Sequence, residues 1–197
     1  MRIALDFDGV LADMQKQVIQ HTKYTREDFN TWDKRDYETF MEETRRVWIN
    51  RWDDVKPVES HLDDYTAILS KYGTADIVTN TVAPDHIAEK WLDKHNIEYN
   101  DIVRAPGGDK AGETNYDCYI DDNPNMAGNV DLLYLRNKRW NQSVRGSGEY
   151  FYTTYENSDP KYESRIGGQE SGPWVIRILT LRDIVSDFII TKREMEM

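Results

Sequence analysis

Short apolar runs alternate with amphipathic segments along this chain, and several of the runs end at acidic or hydroxyl side chains. The runs at 3–5, 75–80 and 118–120 have the length and the mainly apolar character of strands buried in a parallel sheet. Weaker strand patterns follow at 99–103, at 130–135 and from residue 174. The chain therefore contains enough strand patterns for a central sheet.

Apolar residues at helical spacing fill the segments between these runs. They predict helices at 14–22, 37–52, 60–73 and 85–95, and a closing helix that ends near residue 190. Strands that alternate with helices are typical of an α/β fold with a parallel sheet. The length of 197 residues is enough for one such domain and a modest insertion.

The stretch between the first predicted strand and Pro57 is mostly helical and unusually aromatic. Asp13 is the predicted N-cap of its first helix, and Thr25 with Asp28 has the pattern of a capping box. Most of the aromatic side chains are expected to form the core of this stretch. We divide the chain into a core domain at 1–13 and 58–197, a helical cap at 14–57, and an irregular or β insertion at 142–173.

The formal net charge of −11 argues against a protein that binds duplex DNA, because such a protein needs a basic surface. No apolar run approaches the roughly 20 residues that a membrane-spanning helix needs, so no membrane partner is expected. The single cysteine, Cys118, cannot form an internal disulfide, which agrees with a reducing compartment. We therefore expect a cytoplasmic protein. The sequence is compatible with a homodimer and does not determine the oligomeric state.

Three carboxylates follow the first strand, at Asp6, Asp8 and Asp13. Clustered acids at the end of a buried strand are costly unless a positive charge lies beside them. Mg²⁺ suits such a place, because it binds one or two carboxylates together with a substrate phosphate. The alternative interpretation is an acidic turn in which Asp13 caps the next helix.

A second strand also ends in two acids, Asp121 and Asp122. Between the two acidic strand ends lie Thr79, at the end of another predicted strand, and Lys110, in a loop. A hydroxyl and an ammonium group can both hold phosphoryl oxygens. A strand-end threonine and an exposed lysine are common by themselves, and only the order of the four motifs gives them weight.

These motifs resemble those of the haloacid dehalogenase superfamily of phosphotransferases. The resemblance implies a Rossmann-like three-layer α/β/α parallel sheet with a small helical cap inserted after the first strand. It implies that Asp6 is the nucleophile, that Asp8 is the general acid and base, and that Thr79 and Lys110 hold the phosphoryl group. It also implies a Mg²⁺ cofactor, with metal ligands from Asp6, from the backbone carbonyl of Asp8, and from Asp121 and Asp122.

Within the superfamily, the chain looks most like the 5′(3′)-deoxyribonucleotidase group, through its opening motif with the cap and the segments 77–80, 109–110 and 119–124. The implied activity is a 5′-nucleotidase that hydrolyses a small phosphorylated substrate, a (deoxy)nucleoside monophosphate. The candidate substrate-binding residues are Asn80, Phe29, Trp32 and Trp48. Asn80 stands where the group commonly has a small hydroxyl residue.

Other functions remain open at this point. The chain is also compatible with a phosphatase of the same superfamily that acts on a sugar phosphate or on a nucleic-acid end. A non-catalytic module that binds a metal or a nucleotide is a further alternative, although the chain contains all four motifs.

Overall fold

The computed structural model describes residues 1–30, 36–105, 110–141 and 174–195. Their centre is a six-stranded sheet in which every neighbouring pair of strands is parallel. The strands are β1 (Arg2–Leu5), β2 (Thr74–Thr79), β3 (Ile102–Arg104), β4 (Cys118–Asp121), β5 (Leu132–Arg136) and β6 (Trp174–Ile178). Their order across the sheet is β3-β2-β1-β4-β5-β6.

Six α-helices accompany the sheet within the described residues. They are α1 (Met14–His21), α2 (Tyr37–Arg51), α3 (Leu62–Tyr72), α4 (Asp85–Lys94), α5 (Lys110–Glu113) and α6 (Leu181–Met195). Short 3₁₀ turns lie at Arg26–Phe29, Trp52–Asp54, Pro124–Met126 and Arg139–Asn141. The predicted α/β fold with a Rossmann-like parallel sheet is confirmed.

Alternate residues of β1 belong to two different apolar clusters, as expected for a strand with both faces covered. Ile3 and Leu5 pack in the larger cluster, to which α3, α4 and α6 contribute their apolar faces. Ala4 packs in the smaller cluster on the opposite face, with side chains from around α5 and the 3₁₀ turn Pro124–Met126. The long helices α3, α4 and α6 therefore share one face of the sheet.

The order of the strands reverses between β1 and β4, which are hydrogen-bonded neighbours at the centre of the sheet. From β1 the chain proceeds outward to β2 and β3, and from β4 it proceeds outward to β5 and β6. Ligands of open α/β sheets bind beyond the carboxyl ends of the strands at such a reversal. Both acidic strand ends lie there.

The two connections between the cap and the rest of the chain run side by side. Ala12 and Pro57 form an isolated antiparallel bridge. The Asp13 amide donates to the Lys56 carbonyl over 2.8 Å, and the Val58 amide donates to the Leu11 carbonyl over 2.9 Å. Helices α1 and α2 lie between these connections and contact each other. The segments at 11–13 and 56–58 are thus paired, and the division into a core domain and a cap at 14–57 stays a prediction.

Some local details differ from the sequence-based expectations: Lys110, expected in a loop, is the first residue of α5. Asp13 is the N-cap residue of α1, as predicted, but its side chain makes no capping hydrogen bond, and its amide donates to the Lys56 carbonyl. The closing helix is predicted to end near residue 190, but α6 continues to Met195. The capping box of Thr25 and Asp28 is present. The predicted insertion at 142–173 lies outside the described residues.

Candidate active site

The loop after β1 is folded tightly by backbone hydrogen bonds. The amides of Leu11 and Ala12 both donate to the Phe7 carbonyl, over 3.0 and 2.9 Å. Gly9 lies in the left-handed region with φ of +88°, and a Cβ atom at this position would lie 1.9 Å from Asp122 Oδ2. Only glycine permits both this turn and this close approach. The loop after β1 therefore packs directly against Asp122, the residue that follows β4.

The acidic ends of β1 and β4 meet in one carboxylate cluster, formed by Asp6, Asp121 and Asp122. One carboxylate oxygen of each lies within 4.8 Å of the others, and all three side chains are buried. The Asp6 amide donates to the Ile120 carbonyl over 2.9 Å, which extends the pairing of β1 with β4 to the cluster. Asn123 donates its amide to Asp121 Oδ1 over 2.8 Å and fixes that carboxylate.

Lys110 supplies a positive charge to this cluster. Its Nζ lies 2.7 Å from Asp6 Oδ1 and 2.7 Å from Asp121 Oδ2, and the side chain is almost fully buried. Burial would lower the pKa of Lys110, but the charges of Asp121 and Asp6 outweigh it, so the pKa lies above its ordinary value. Lys110 is therefore a permanent cation, and it lies between the carboxylates of two strands.

The charge balance of the cluster favours a bound dication. With all three carboxylates ionised, Lys110 balances only one of the three negative charges in this buried site, and the charge of Lys138 also acts on Asp122. Burial raises the pKa of Asp6 to about 7 against the effect of Lys110, and burial with the charges of Asp6 and Asp121 raises the pKa of Asp122 well above its ordinary value. Such costs are relieved when a cation binds. The oxygen donors fit a hard ion such as Mg²⁺.

The carboxylate of Asp8 is set apart from this cluster. Burial raises its pKa to about 6, and the side chains of Thr81 and Trp48 act in the opposite direction. A carboxyl group with this pKa can hold a proton and release it near neutral pH. The expected metal contact of Asp8 involves its backbone carbonyl, and it stays a prediction.

Thr79 and Asn80 lie at the carboxyl end of β2, beside the loop after β1. Thr79 is buried, and its Oγ1 accepts a hydrogen bond from the Thr81 amide over 3.0 Å. Both residues line the same cavity as Asp6, Asp8 and Lys110. The structure thus brings together all four residues that the sequence assigned to catalysis.

The cavity has a volume of about 510 Å³ and two different surfaces. Its floor carries the catalytic candidates with Asp122 and Asn123, and its wall is mainly apolar. The wall contains Met14, Val18, Phe29, Tyr37, Phe40, Met41, Thr44, Val82 and Trp140. Most of these side chains come from the cap, so the cap provides the surface that would contact the non-phosphate part of a ligand.

Of the three aromatic candidates for substrate binding, Phe29 lines the cavity. Its ring centroid lies 5.7 Å from that of Phe40 and 6.3 Å from that of Trp140. Trp32 lies outside the described residues. The prediction for Trp48 is wrong: its side chain is fully buried, does not line the cavity, and stacks on Phe7 at 5.2 Å with an angle of 14° between the rings. The face of α2 that carries Trp48 is turned to the core.

Trp140 is a site residue that the sequence analysis did not single out. It belongs to the 3₁₀ turn after β5, lines the cavity, and its Nε1 donates to the Asp122 carbonyl over 3.2 Å. Asn141 Nδ2 donates to the same carbonyl over 3.0 Å. The position of this turn, at the carboxyl end of a predicted strand, was the available signal. Its aromatic side chain alone did not indicate a ligand contact.

No protein-family model matches the chain, and no curated protein matches it either. Among solved structures, a chain from Thermotoga maritima that is provisionally named beta-phosphoglucomutase matches with 13% identity and a TM-score of 0.43. The match covers 94% of this chain and 98% of the other. This similarity is too low to carry an argument about activity. In addition, no helix of the described residues is both long enough and apolar enough to cross a membrane.

Proposed function

We propose that this protein is a Mg²⁺-dependent phosphomonoesterase that acts through an aspartyl phosphate, and that its substrate is a nucleoside monophosphate. The observation that carries the proposal is the buried contact of Lys110 with Asp6 and Asp121, next to Asp122 and below an open cavity. This arrangement can hold a dianionic phosphate against a carboxylate nucleophile. The resemblance of the motif order to haloacid dehalogenase phosphatases supports the same chemistry.

The first step is attack of an Asp6 carboxylate oxygen on phosphorus. A new P–O bond to Asp6 forms while the bond to the ester oxygen breaks, and Asp8 gives its proton to the departing alkoxide. Lys110 lowers the pKa of Asp6 against the effect of burial, which favours the ionised nucleophile, and it offsets charge on the phosphoryl oxygens. The Thr79 hydroxyl is placed to hold one of those oxygens.

The second step returns the enzyme to its starting state. Asp8, now a carboxylate, accepts a proton from water as the water oxygen attacks phosphorus. The P–O bond to Asp6 breaks, inorganic phosphate leaves, and Asp8 again carries the proton. A pKa of about 6 lets Asp8 exchange this proton in both directions near neutral pH.

Asp6, Asp121 and Asp122 would hold the metal ion, together with the Asp8 backbone carbonyl. A bound Mg²⁺ supplies positive charge that stabilises the phosphoryl group during transfer. Trp140 and Asn141 hold the Asp122 backbone through hydrogen bonds to its carbonyl, and Asn123 holds the Asp121 carboxylate. These contacts fix the directions of the metal-binding oxygens.

The cavity wall favours a nucleobase as the non-phosphate part of the substrate. Its volume of about 510 Å³ falls in the range of roughly 300–1,000 Å³ that is usual for small-molecule sites. Phe29, Phe40 and Trp140 present aromatic rings in a mainly apolar wall, which suits a planar base better than a polyhydroxylated sugar. Lys110 is the one cationic side chain among the described lining residues, which fits a ligand with a single phosphate.

A panel of phosphate esters tests this proposal. With Mg²⁺ present, we expect kcat/KM to be highest for nucleoside monophosphates, lower for sugar phosphates, and low for oligonucleotide ends. Asp6→Asn should abolish turnover, while Asp63→Asn, an exposed change of the same kind on α3, should leave it unchanged. Turnover by the Asp6→Asn variant at the wild-type rate would refute the mechanism. A higher kcat/KM for sugar phosphates or oligonucleotide ends than for nucleoside monophosphates would refute the proposed substrate. Nucleotide binding without turnover would indicate a binding module.

A further inference from the structure

Two buried polar atoms at the boundary of the cap and the core have no partner in hydrogen-bonding geometry among the described residues. One is Asp8 Oδ1, in the nucleophile loop, and the other is Trp48 Nε1, on α2 of the cap. A buried donor or acceptor without a partner destabilises the folded protein, because it loses its hydrogen bonds to water and gains none in return. Asp8 Oδ1 can only accept unless it carries the proton, and the indole N–H can only donate. The two atoms are therefore chemically complementary.

Packing holds the Trp48 indole in place against Phe7, the residue that precedes Asp8 in the chain. The indole stacks on Phe7, the residue between the proposed nucleophile and the proposed general acid, with ring centroids 5.2 Å apart. The Trp48 side chain is fully buried, so no solvent molecule competes for the position of its N–H group. The influence of Trp48 on the pKa of Asp8 agrees with this proximity.

A second tryptophan also packs against the Phe7 ring, and it shows the contacts of an indole with a structural role. Trp91, on α4, packs edge-on against Phe7 with centroids 5.3 Å apart. Its Nε1 donates to the Val55 carbonyl over 2.9 Å. Both indoles are fully buried against Phe7, but within the part of the chain that the structure describes only the Trp91 indole has a backbone acceptor. The Trp48 N–H group thus remains available for Asp8.

We propose that Trp48 is a positioning residue for the general acid: its indole N–H donates to Asp8 Oδ1 and leaves the acidic proton on Oδ2. This inference rests on the proposed phosphomonoesterase activity. When Oδ1 accepts a hydrogen bond, it takes the role of the carbonyl oxygen of the acid, so the O–H group is at Oδ2. Since Oδ1 is buried and Asp8 lines the cavity, Oδ2 is the oxygen that can reach the ester.

Esters with different leaving groups test this role. An alkoxide leaving group requires protonation, whereas p-nitrophenolate leaves readily without a proton. We expect Trp48→Phe to lower kcat/KM for a nucleoside monophosphate roughly tenfold more than for p-nitrophenyl phosphate. This difference is a part of the roughly 10²–10⁴-fold contribution of general acid–base catalysis. The ratio of the two kcat/KM values is the readout, because a loss of active protein lowers both equally.

Four further variants separate positioning from packing. Trp91→Phe removes the other indole from Phe7 and should leave the ratio unchanged. Site-specific replacement of Trp48 by 3-benzothienylalanine keeps the ring size, removes the N–H group, and should reproduce the changed ratio even if Trp48→Phe does not fold. Asp8→Asn should change the ratio more strongly, and adding Trp48→Phe to it should change the ratio no further, because Trp48 acts through Asp8.

Either of two results would overturn the role of Trp48 and leave the proposed function standing. One is an equal loss of kcat/KM for both esters in the benzothienylalanine variant. The other is that the Asp8 and Trp48 changes have additive effects on the ratio. A wild-type protein that hydrolyses neither ester would overturn the proposed function and this inference together. A changed ratio in Trp91→Phe would show that the packing around Phe7, and not the Trp48 N–H group, sets the leaving-group dependence.

Discussion

Lys110 Nζ lies 2.7 Å from Asp6 Oδ1, although the two residues are on different elements and far apart in the chain. The pair joins the start of α5 to the end of β1, and the same ammonium contacts Asp121 at the end of β4. One cation thus balances carboxylates from two strands. Removal of this charge should affect both the fold and the chemistry.

For Lys110→Met, we expect kcat to fall at least about 10²-fold, since loss of one group that stabilises the transition state typically costs that much. We also expect a lower melting temperature in EDTA, because loss of one partner of a buried ion pair leaves carboxylates uncompensated. Kinetics and thermal unfolding measure the two effects. Lys71→Met, on the exposed part of α3, is the control, and a similar loss in that variant would contradict the role of Lys110.

Gly9→Ala should disturb the metal site. The new Cβ atom would meet Asp122 Oδ2 at 1.9 Å, so Asp122 has to move. We expect weaker Mg²⁺ binding in calorimetric titration and a large loss of activity. Gly128→Ala is a matched control, because Gly128 has a similar φ of +83° but is exposed. That variant should lose about 1–2 kcal/mol of stability from backbone strain and retain Mg²⁺ affinity. Unchanged Mg²⁺ affinity in Gly9→Ala would contradict the arrangement of the site.

The stabilisation by Mg²⁺ should depend on pH. Burial raises the pKa of Asp6 from 3.8 to about 7, so the metal-free fold binds more protons than the unfolded chain between these values. The free energy of unfolding of the metal-free protein therefore falls as the pH rises from about 4 to 7 through this group. Mg²⁺ binds the ionised carboxylates, so its addition should raise the melting temperature more at pH 8 than at pH 5.

Asp121→Asn provides the control for this pH effect, because it removes one oxygen anion from the carboxylate cluster. The variant should show a smaller rise in melting temperature with Mg²⁺ at pH 8. The absence of any rise in the wild-type protein at pH 8 would argue against a metal ion at this position.

Phe40 should contribute to the binding of the base and not to the chemistry of the phosphate. It lines the cavity, and its ring packs edge-on against Tyr24 at 5.1 Å. We expect Phe40→Ala to raise KM for a nucleoside monophosphate about tenfold, in line with roughly 1–3 kcal/mol for stacking of a base on an aromatic ring. The kinetic constants for methyl phosphate should remain nearly unchanged.

Phe188→Ala is the matched control for Phe40→Ala. Phe188 is buried between α6 and the sheet, where its ring lies 5.8 Å from that of Tyr134. Its loss should lower the melting temperature and leave the ratio of the two KM values at its wild-type level. If Phe40→Ala and Phe188→Ala changed that ratio equally, the cap would have no specific role in binding.

Much of the carboxylate site followed from the sequence. Asp6, Thr79 and Asp121 each stand at the end of an apolar run, and parallel strands bring their carboxyl ends to one edge of a sheet. The strand pattern and the order of the motifs were therefore enough to predict that these residues lie close together. The place of Lys110 followed from that order as well, although its contact with two carboxylates did not.

The cavity wall depended on helix orientation, which the sequence left ambiguous. Both Phe40 and Trp48 are large apolar residues of α2, and helical spacing alone does not determine which of them faces the ligand. The packing of α2 against Phe7 turns Trp48 into the core, while Phe40 lines the cavity. A hydrophobic pattern does not distinguish a side chain in the core from one in an apolar cavity wall, since both positions are predicted to be buried.

The apolar runs by themselves determined the parallel α/β fold and the acidic strand ends, because these are consequences of local pattern and strand direction. Only the tertiary structure decided the neighbours that come from distant parts of the chain. It placed the Trp140 indole against the Asp122 carbonyl and Gly9 against the Asp122 carboxylate. Such contacts depend on how the cap, the loops and the strand order fit together in space, and no spacing within the sequence encodes that fit.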